Sequence, residues 1–344
     1  MIAGVRLRPY ALPLVRPWVA ASAVVTMRRG ILVGVEAADG GIGWGDCAPL
    51  PSSGDAGHRR VFAALQAAAA GLPGRAVAAD PAGVATPEAR WAVETALLDL
   101  RARRRGLPLA RLLNGKAATE VAVNAALGPL DAGCAGRARR MLDRGFDLGK
   151  IKVGLAPVDD ELRALRLLNT RLGGAMRLRL DANRSWNEAD ARRFLAGLSD
   201  LPVDGVEEPL AAPSLNALAR LQDRVSFAVA IDESLAELGG EAAVASGAVR
   251  RLVVKPARLG GIGRSLDLAA TAVAAEVELV VTSVVDSAIG VVAAAHLAAA
   301  LPFAAAHGLA TSAWLAEDVC PPPALARGRL RLPEGAGLGL APLE

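Results

Sequence analysis

Lysine is scarce in this chain. Of its 39 basic residues only Lys116, Lys150, Lys152 and Lys255 are lysine, and every other one is arginine. Arginine keeps its proton at any ordinary pH, whereas a partly buried lysine shifts its pKa and can act as a base. Lysine therefore persists where arginine cannot serve. Lys150 and Lys152, in LGKIKVG (148–154), lie two apart, and in a strand they share a face. Adjacent ammonium groups repel, which makes each easier to deprotonate and gives one route to a lysine base near neutral pH. Two surface lysines on an edge strand are the competing explanation.

Cysteine is also rare. Cys47, Cys134 and Cys320 are far apart and odd in number, which excludes a disulfide framework and a CxxC metal site and fits a reducing cytoplasm. With five Phe and one Tyr there is no aromatic platform, and the net charge is only +4 with no basic block, so a nucleic-acid partner is excluded. Despite a hydrophobic content of 53%, no uninterrupted apolar window reaches membrane-spanning length. Val291–Ala306 comes nearest, but His296 and Pro302 interrupt it and it reads as a buried helix leading into a strand. The first residues lack the apolar core of a signal peptide, and none is expected. The GGIG at 260–263 lacks the full G-x-G-x-x-G pattern and its acidic partner, leaving only phosphate or carboxylate capture by backbone N–H groups.

Residues 1–115 read as an α+β domain, with strands first and helices after. Val5–Pro9, Arg29–Ala38 and Gly43–Gly45 are its strands, and Leu14–Met27 is an irregular stretch long enough for a flap. A Pro/Gly/Ser-rich loop (46–58) leads to helices over Val61–Ala70 and Pro87–Arg105, the latter opening on Thr86, Pro87 and Glu88. From residue 116 to 315 short apolar runs alternate with helical stretches. Strands are expected at Val121–Ala125, Ile151–Val153, Leu178–Asp181, Gly205–Glu207, Ala228–Ile231, Arg251–Val254, Leu279–Thr282 and Phe303–Ala306. Helices follow the strands, as over Leu130–Arg144, Val158–Arg171, Asn187–Gly197 and Gly261–Ala275. That rhythm points to a TIM-type α/β barrel whose last helix is missing. The Pro/Gly-rich tail, 316–344, is expected to pack back on the N-terminal domain.

A barrel places its chemistry at the C-terminal ends of its strands. Those ends read K-I-K (Lys150, Lys152), D-A-N (Asp181, Asn183), E-E-P (Glu207, Glu208), D-E-S (Asp232, Glu233), K-P (Lys255), T-S (Thr282, Ser283) and H-G (His307, Gly308). Asp181, Glu207 and Asp232 come from consecutive strands and converge on one side of the mouth. Three hard oxygen donors without Cys or His suit Mg²⁺, or another divalent cation such as Mn²⁺. Helix N-caps are the other explanation for such acids. Lys152 and Lys255 stand on either side of the three strands. A substrate carboxylate held there would present its α-carbon to two amines, a geometry for removing a proton next to a carboxylate.

This ordered set resembles the enolase superfamily, and lysine at both the second and sixth strand ends resembles its muconate-lactonising subgroup. Within that subgroup MRRGILV (27–33), GWGDCAPLP (43–51), LRLDANRSW (178–186) and AHGLATSAWLAEDV (306–319) are similar to segments of the o-succinylbenzoate synthase family. SVVDSAIG (283–290) carries Asp286 where that family usually has Glu. The resemblance implies a modified TIM barrel, (β/α)7β, under an N-terminal capping domain completed by the C-terminal tail. It implies dehydration of a small carboxylate substrate through an enediolate, with racemisation, epimerisation or cycloisomerisation as alternatives. Lys152 would be the base and then the acid, Lys255 would stabilise the enediolate, and Lys150 would hold the pKa of Lys152 down. Asp181, Glu207 and Asp232 would bind Mg²⁺, while Asn183, Glu208 and Glu233 would orient those ligands and water. Ser283 and Gly308 would hold the substrate arm, and the flap (14–27) and Pro49–Ser53 would close over the site. His296 is expected to be structural, and Lys116 has no role in this reading.

Overall fold

The computed structural model describes residues 1–20, 23–78, 81 and 83–343. The chain opens with an antiparallel sheet in which β1 (Ile2–Ala20) and β2 (Ala23–Ala37) form a long hairpin and β3 (Ile42–Cys47) pairs with β2. The stretch read as an irregular flap is the far end of this hairpin, where Trp18, Val19 and Ala20 pair with Val25, Val24 and Ala23. Residues 21 and 22 of that stretch lie outside the described residues. Pro13 and Pro17 cannot donate to a ladder, and the register slips between Pro13 and Trp18, which hides the strand from an alternation reading.

α1 (Gly54–Ala70) begins inside the stretch read as loop, its first turns disguised by Gly54 and Gly57. α2 (Pro87–Arg104) starts as expected, with Pro87 in its first position and Glu88 in its first turn. It lies very close to β3. A Cβ on Gly43 would sit 2.2 Å from the Ala96 carbonyl oxygen, and one on Gly45 2.0 Å from that of Ala92. Glycine at these two places is what lets helix and sheet touch. α3 (Leu109–Leu113) follows.

β4 (Glu120–Ala122) is not a barrel strand, and the first barrel strand is β5 (Ala125–Pro129), slightly later than expected. The alternation then runs α4 (Cys134–Asp143), β6 (Leu148–Lys152), α5 (Val158–Leu172), β7 (Arg177–Asp181), α6 (Glu188–Ala196), β8 (Val203–Glu207), α7 (Leu215–Gln222) and β9 (Ala228–Ile231). It continues through α8 (Leu235–Leu238), α9 (Gly240–Ala245), β10 (Arg251–Val254), α10 (Pro256–Leu259), α11 (Ile262–Ala274), β11 (Glu278–Val281) and α12 (Ala288–Ala300). β5 to β11 form one parallel sheet in chain order. The eighth strand expected at Phe303–Ala306 is reduced to two bridges one residue further on: His307 pairs with Val123 and Gly308 with Thr282, closing the ring. Pro302 and an alanine run offer little that favours a ladder before that point. The fold is thus the mixed α/β, TIM-like barrel with a small N-terminal sheet that the sequence indicates.

Outward residues of the strands, such as Ile151, Leu178, Leu180 and Leu252, are fully buried under the helices. All 13 residues of α12 are buried, as its apolar composition requires. Inside the barrel, the register between β7 and β8 slips at Asp204, and its carboxylate accepts from Arg179 at 2.9 Å and from Arg251 at 2.8 Å. No helix among the described residues is long and apolar enough to cross a membrane.

The tail returns to the N-terminal unit. β12 (Leu325–Ala326) pairs with β13 (Arg329–Arg331), which pairs with β4. The buried Asp99 of α2 accepts from Trp44 N on β3 at 2.8 Å and from Leu338 N at 2.6 Å. His296 of α12 is fully buried, accepting from Ala110 N at 3.1 Å through Nδ1 while Nε2 faces the Leu338 carbonyl at 3.3 Å. Burial pushes its pKa down to about 4. An unfolded histidine titrates near 6.5, so the unfolded chain binds the extra proton and this residue's contribution fades as pH falls from about 6.5 toward 4. A His296→Asn variant should therefore show its largest loss of thermal midpoint at pH 7.5, with the gap to wild type narrowing toward pH 4.5; a gap that is constant across that range would contradict the assignment.

Candidate active site

Lys152, Asp181 and Glu207 form one row across the mouth, because Lys152 is in register with Asp181 and Asp181 with Glu207. Asp232 follows directly after β9, and Lys255 directly after β10. Asp181 and Glu207 are side chains only 1% and 2% exposed, yet both carry acids, and each ends an apolar strand. They are not helix caps. Asn187 and Ser214 cap α6 and α7 through their side chains, and Ser234 precedes α8.

The lysines bind these acids directly. Lys150 Nζ donates to Glu207 Oε1 and Oε2 at 2.7 and 2.8 Å and lies 2.9 Å from Asp181 Oδ2. Lys152 Nζ donates to Asp181 Oδ2 at 2.6 Å and also to Asn183 Oδ1. Lys255 donates to both oxygens of Asp232. Lys152 is the most accessible of the three, with a side chain 43% exposed against 24% for Lys150 and 21% for Lys255.

The electrostatics correct one expectation. Burial alone would push Lys150 down, but Glu207, Asp181 and Asp232 outweigh it and hold this lysine well above its ordinary pKa. Lys255 is likewise held up, chiefly by Asp232, against its burial. The two neighbouring ammonium groups do not set the pKa of Lys150, because the carboxylates between them dominate. Asp181 is held down at about 2, since Lys150 and Lys152 overcome its burial. Glu207 is pushed up to about 7 by burial and by Asp181, even with Lys150 upon it. Burial is the larger cause, with the neighbouring Asp181 adding to it.

Hard oxygen donors on three adjacent strands are the donor chemistry a divalent cation requires. Among the described residues no three Asp, Glu, His or Cys side chains meet at a single point. Lys150 stands between Asp181 and Glu207, and Lys255 sits on Asp232, so ammonium groups occupy the space between the acids.

The residues expected to orient the site are in contact with it. Glu208, 1% exposed, accepts from Asp232 N at 2.6 Å, Ser234 N at 2.7 Å and Ser234 Oγ at 2.6 Å, which fixes the turn that carries Asp232. Asn183 Nδ2 donates to Glu233 Oε1 at 3.1 Å, joining the Lys152 side to the Asp232 side. Asn183, Arg184 and Glu208 all have positive φ (43°, 65° and 49°), a concentration of backbone strain at one rim.

Ser283 follows β11 and shares a 2.6 Å contact with Thr311 Oγ1, a partner that sequence reasoning missed. Gly308 gives its N–H to Val281 O at 2.9 Å and accepts from Thr282 Oγ1 at 3.1 Å, and a Cβ there would lie 2.6 Å from Thr282 Oγ1. Its backbone serves the closure of the barrel. His307 is buried, with Nδ1 accepting from Val281 N at 3.0 Å, and burial lowers its pKa to about 3. The N–H groups of the GGIG segment are taken within the chain: Glu94 accepts from Ile262 N at 2.6 Å and Gly263 N at 3.1 Å, and the Pro256 carbonyl accepts from Gly260 N and Gly261 N, both at 2.9 Å. Lys116 is exposed.

Comparison with known proteins agrees with this architecture. Residues 2–114 match the family described as Mandelate racemase / muconate lactonizing enzyme, N-terminal domain, and residues 133–344 match Enolase C-terminal domain-like. A chloromuconate cycloisomerase of Pseudomonas putida is 31% identical over 257 residues, covering 73% of this chain and 70% of that protein. The L-Ala-D/L-Glu epimerase of Bacillus subtilis (strain 168) is 30% identical over 306 residues, covering 84% and 82%. The crystal structure of muconate lactonizing enzyme from Pseudomonas fluorescens with muconolactone superposes with a TM-score of 0.88 at 26% identity, over 99% of this chain and 96% of that one. A dipeptide epimerase from Enterococcus faecalis V583 gives a TM-score of 0.86 at 26% identity, over 98% and 99%. Members of this superfamily generally use a divalent metal ion. This chain belongs to the enolase superfamily and to its muconate-lactonising subgroup, and it is an enzyme of the cycloisomerase and epimerase type.

Proposed function

We propose that the enzyme is an o-succinylbenzoate synthase, a hydro-lyase of menaquinone biosynthesis that dehydrates 2-succinyl-6-hydroxy-2,4-cyclohexadiene-1-carboxylate to 2-succinylbenzoate. The observation that carries this reading is the set of acids Asp181, Glu207 and Asp232, with lysines on both sides and no acid in the eighth strand end AAAHGLAT for a substrate ammonium. Asp286 is the only acid between residues 282 and 311, and it is buried against Arg28. The four segments similar to that synthase family, including GWGDCAPLP and AHGLATSAWLAEDV, add to it. In this reading residues 116–315 are the catalytic barrel, and 1–115 with 316–344 form its cap. Three buried free thiols fit a reducing cytoplasm.

Asp181, Glu207 and Asp232 would hold Mg²⁺ or Mn²⁺. When bound, that ion supplies Lewis-acid stabilisation of charge on the substrate carboxylate and takes the acids' charge away from the lysines. Lys152 Nζ, the most accessible amine, takes the ring proton next to the carboxylate. The same ammonium returns that proton to the departing hydroxyl, so water leaves and the ring becomes aromatic. Lys255 faces the opposite side and offsets the charge that builds on the substrate, partly through cation–π attraction. Lys150 holds Glu207 and Asp181 in place. Asn183, Glu208 and Glu233 keep the acids and Lys152 oriented, and Ser283 and Gly308 border the space for the succinyl arm. The hairpin end and Pro49–Ser53 exclude water.

Racemisation of N-succinylamino acids is the second reading. Amines on both sides of one α-carbon favour it, and so does the similarity to epimerases. Muconate cycloisomerisation and dipeptide epimerisation are further outcomes of the same test. Purified enzyme with Mg²⁺ should consume the cyclohexadiene intermediate, read as loss of its diene absorbance, and should leave muconate and an L-Ala-Glu dipeptide unchanged. Racemisation of an N-succinylamino acid in the absence of dehydration would overturn the first reading. Chelation with EDTA should abolish turnover and Mg²⁺ should restore it. Lys152→Arg keeps the charge but not the base, so kcat should fall by about 10²–10⁴-fold with an unchanged thermal midpoint; near-normal turnover would refute the assignment of Lys152.

A further inference from the structure

Arg28 lies on β2, outside the barrel, and its side chain is 1% exposed. All five of its N–H donors have acceptors. Nε donates to the Val285 carbonyl at 3.0 Å, and Nη2 donates to the Ala48 carbonyl at 2.7 Å and to Asp286 Oδ1 at 3.4 Å. Nη1 donates to the carbonyls of Pro49 and Arg29. One guanidinium therefore ties together β2, the segment after β3 and the turn between β11 and α12. The same turn is held from the cap a second time. Asp46 of β3 accepts from Ser287 N at 3.1 Å and Ser287 Oγ at 2.8 Å on one oxygen, and from Tyr10 OH at 2.8 Å on the other.

The turn so held is strained. Val285, a β-branched residue, has φ +59°, a conformation that surrounding contacts must impose. At its start is Ser283, beside Thr311 and next to the end of β11. Lysine cannot replace this arginine in kind, since a point ammonium has three donors and no planar fork.

We propose that Arg28 is a positioning residue for substrate binding: by joining Ala48 and Pro49 of the cap to Val285 and Asp286 of the barrel, it fixes where Ser283 and the cap loop stand at the mouth. Only the kinetic arm of its test rests on the proposed function. None of the hydrogen bonds of Arg28 reaches Lys150, Lys152, Lys255 or their acids, so its removal should alter the fit of substrate and leave the proton-transferring groups in place.

The test compares wild type and Arg28→Lys, both with Mg²⁺, by hydrogen exchange and by steady-state kinetics on whichever substrate above the wild type turns over. Amides of Val284 to Ser287 should exchange about tenfold faster in the variant, the scale of one lost charge-assisted bond, while β6 and β7 keep their wild-type rates. KM should rise about tenfold with kcat changed less than about threefold. Unchanged exchange in the turn, a uniform rise across the barrel, or a fall in kcat at constant KM would each overturn the proposal. If Arg28→Lys does not fold, Asp286→Ala, which removes one of the five bonds of Arg28 and the acceptor of Val284 N, should raise KM by about two- to threefold with kcat unchanged and speed exchange at Val285 to Ser287; an unchanged KM or a fall in kcat would overturn the proposal. If the wild type turns over none of the substrates, the proposed function fails, and the exchange arm still decides the role of Arg28.

Discussion

Like charges brought together at the ends of parallel strands are the constraint on which the rest of this structure depends. Parallel register places Asp181 beside Glu207 and brings Asp232 in from the next strand, in a wall that is otherwise apolar. Carboxylates in such a place repel one another and lose hydration. Lysine ammonium groups balance that charge, and burial, with Asp181 beside it, still pushes Glu207 up to about 7. Deeper in the barrel the arrangement differs. Asp204 is held by Arg179 and Arg251, with guanidinium groups that never give up a proton. One barrel thus contains two charged layers, an inner one built on arginine and one at the mouth built on lysine.

The division of labour between the two cations was partly legible in the sequence. The scarcity of lysine picked out three of the residues at the mouth, and the acids were visible because each ends an apolar run. Register and sheet order then assemble them without further information, since a parallel barrel puts every strand's C-terminal end on one rim. Arginine was harder to read. The sequence offers no way to tell the exposed Arg163 from the buried Arg28 or Arg179, because burial of a guanidinium is decided by carbonyl and carboxylate partners far away in the chain. Asp286 departs from a familiar motif, and only the structure shows that its partner is an arginine on the second strand.

Other readings went astray for local reasons. Prolines at 13 and 17 masked a hairpin, and glycines at 54 and 57 masked a helix start. The eighth barrel strand pairs one residue later than its composition suggests, because its pairing rests on two bridges at His307 and Gly308 rather than on a ladder with a composition of its own. The GGIG segment had the look of an anion site and is one, but the anion is the chain's own Glu94. In the last two a non-local partner decides the outcome.

The buried Asp99 has a consequence in time. It lies on the second helix of the cap, and one of its donors, Leu338 N, is 239 residues further along. At a synthesis rate of about 5–20 residues per second, that partner arrives on the order of tens of seconds later. Through that interval the cap sheet can form and α2 can lie on Gly43 and Gly45, but a carboxylate in its interior still lacks a neighbour. The nascent N-terminal unit is therefore an unfinished structure that the stretch around Leu338 must complete. Completion of this unit is tied to the arrival of Leu338 rather than to the folding of its own sheet and helices.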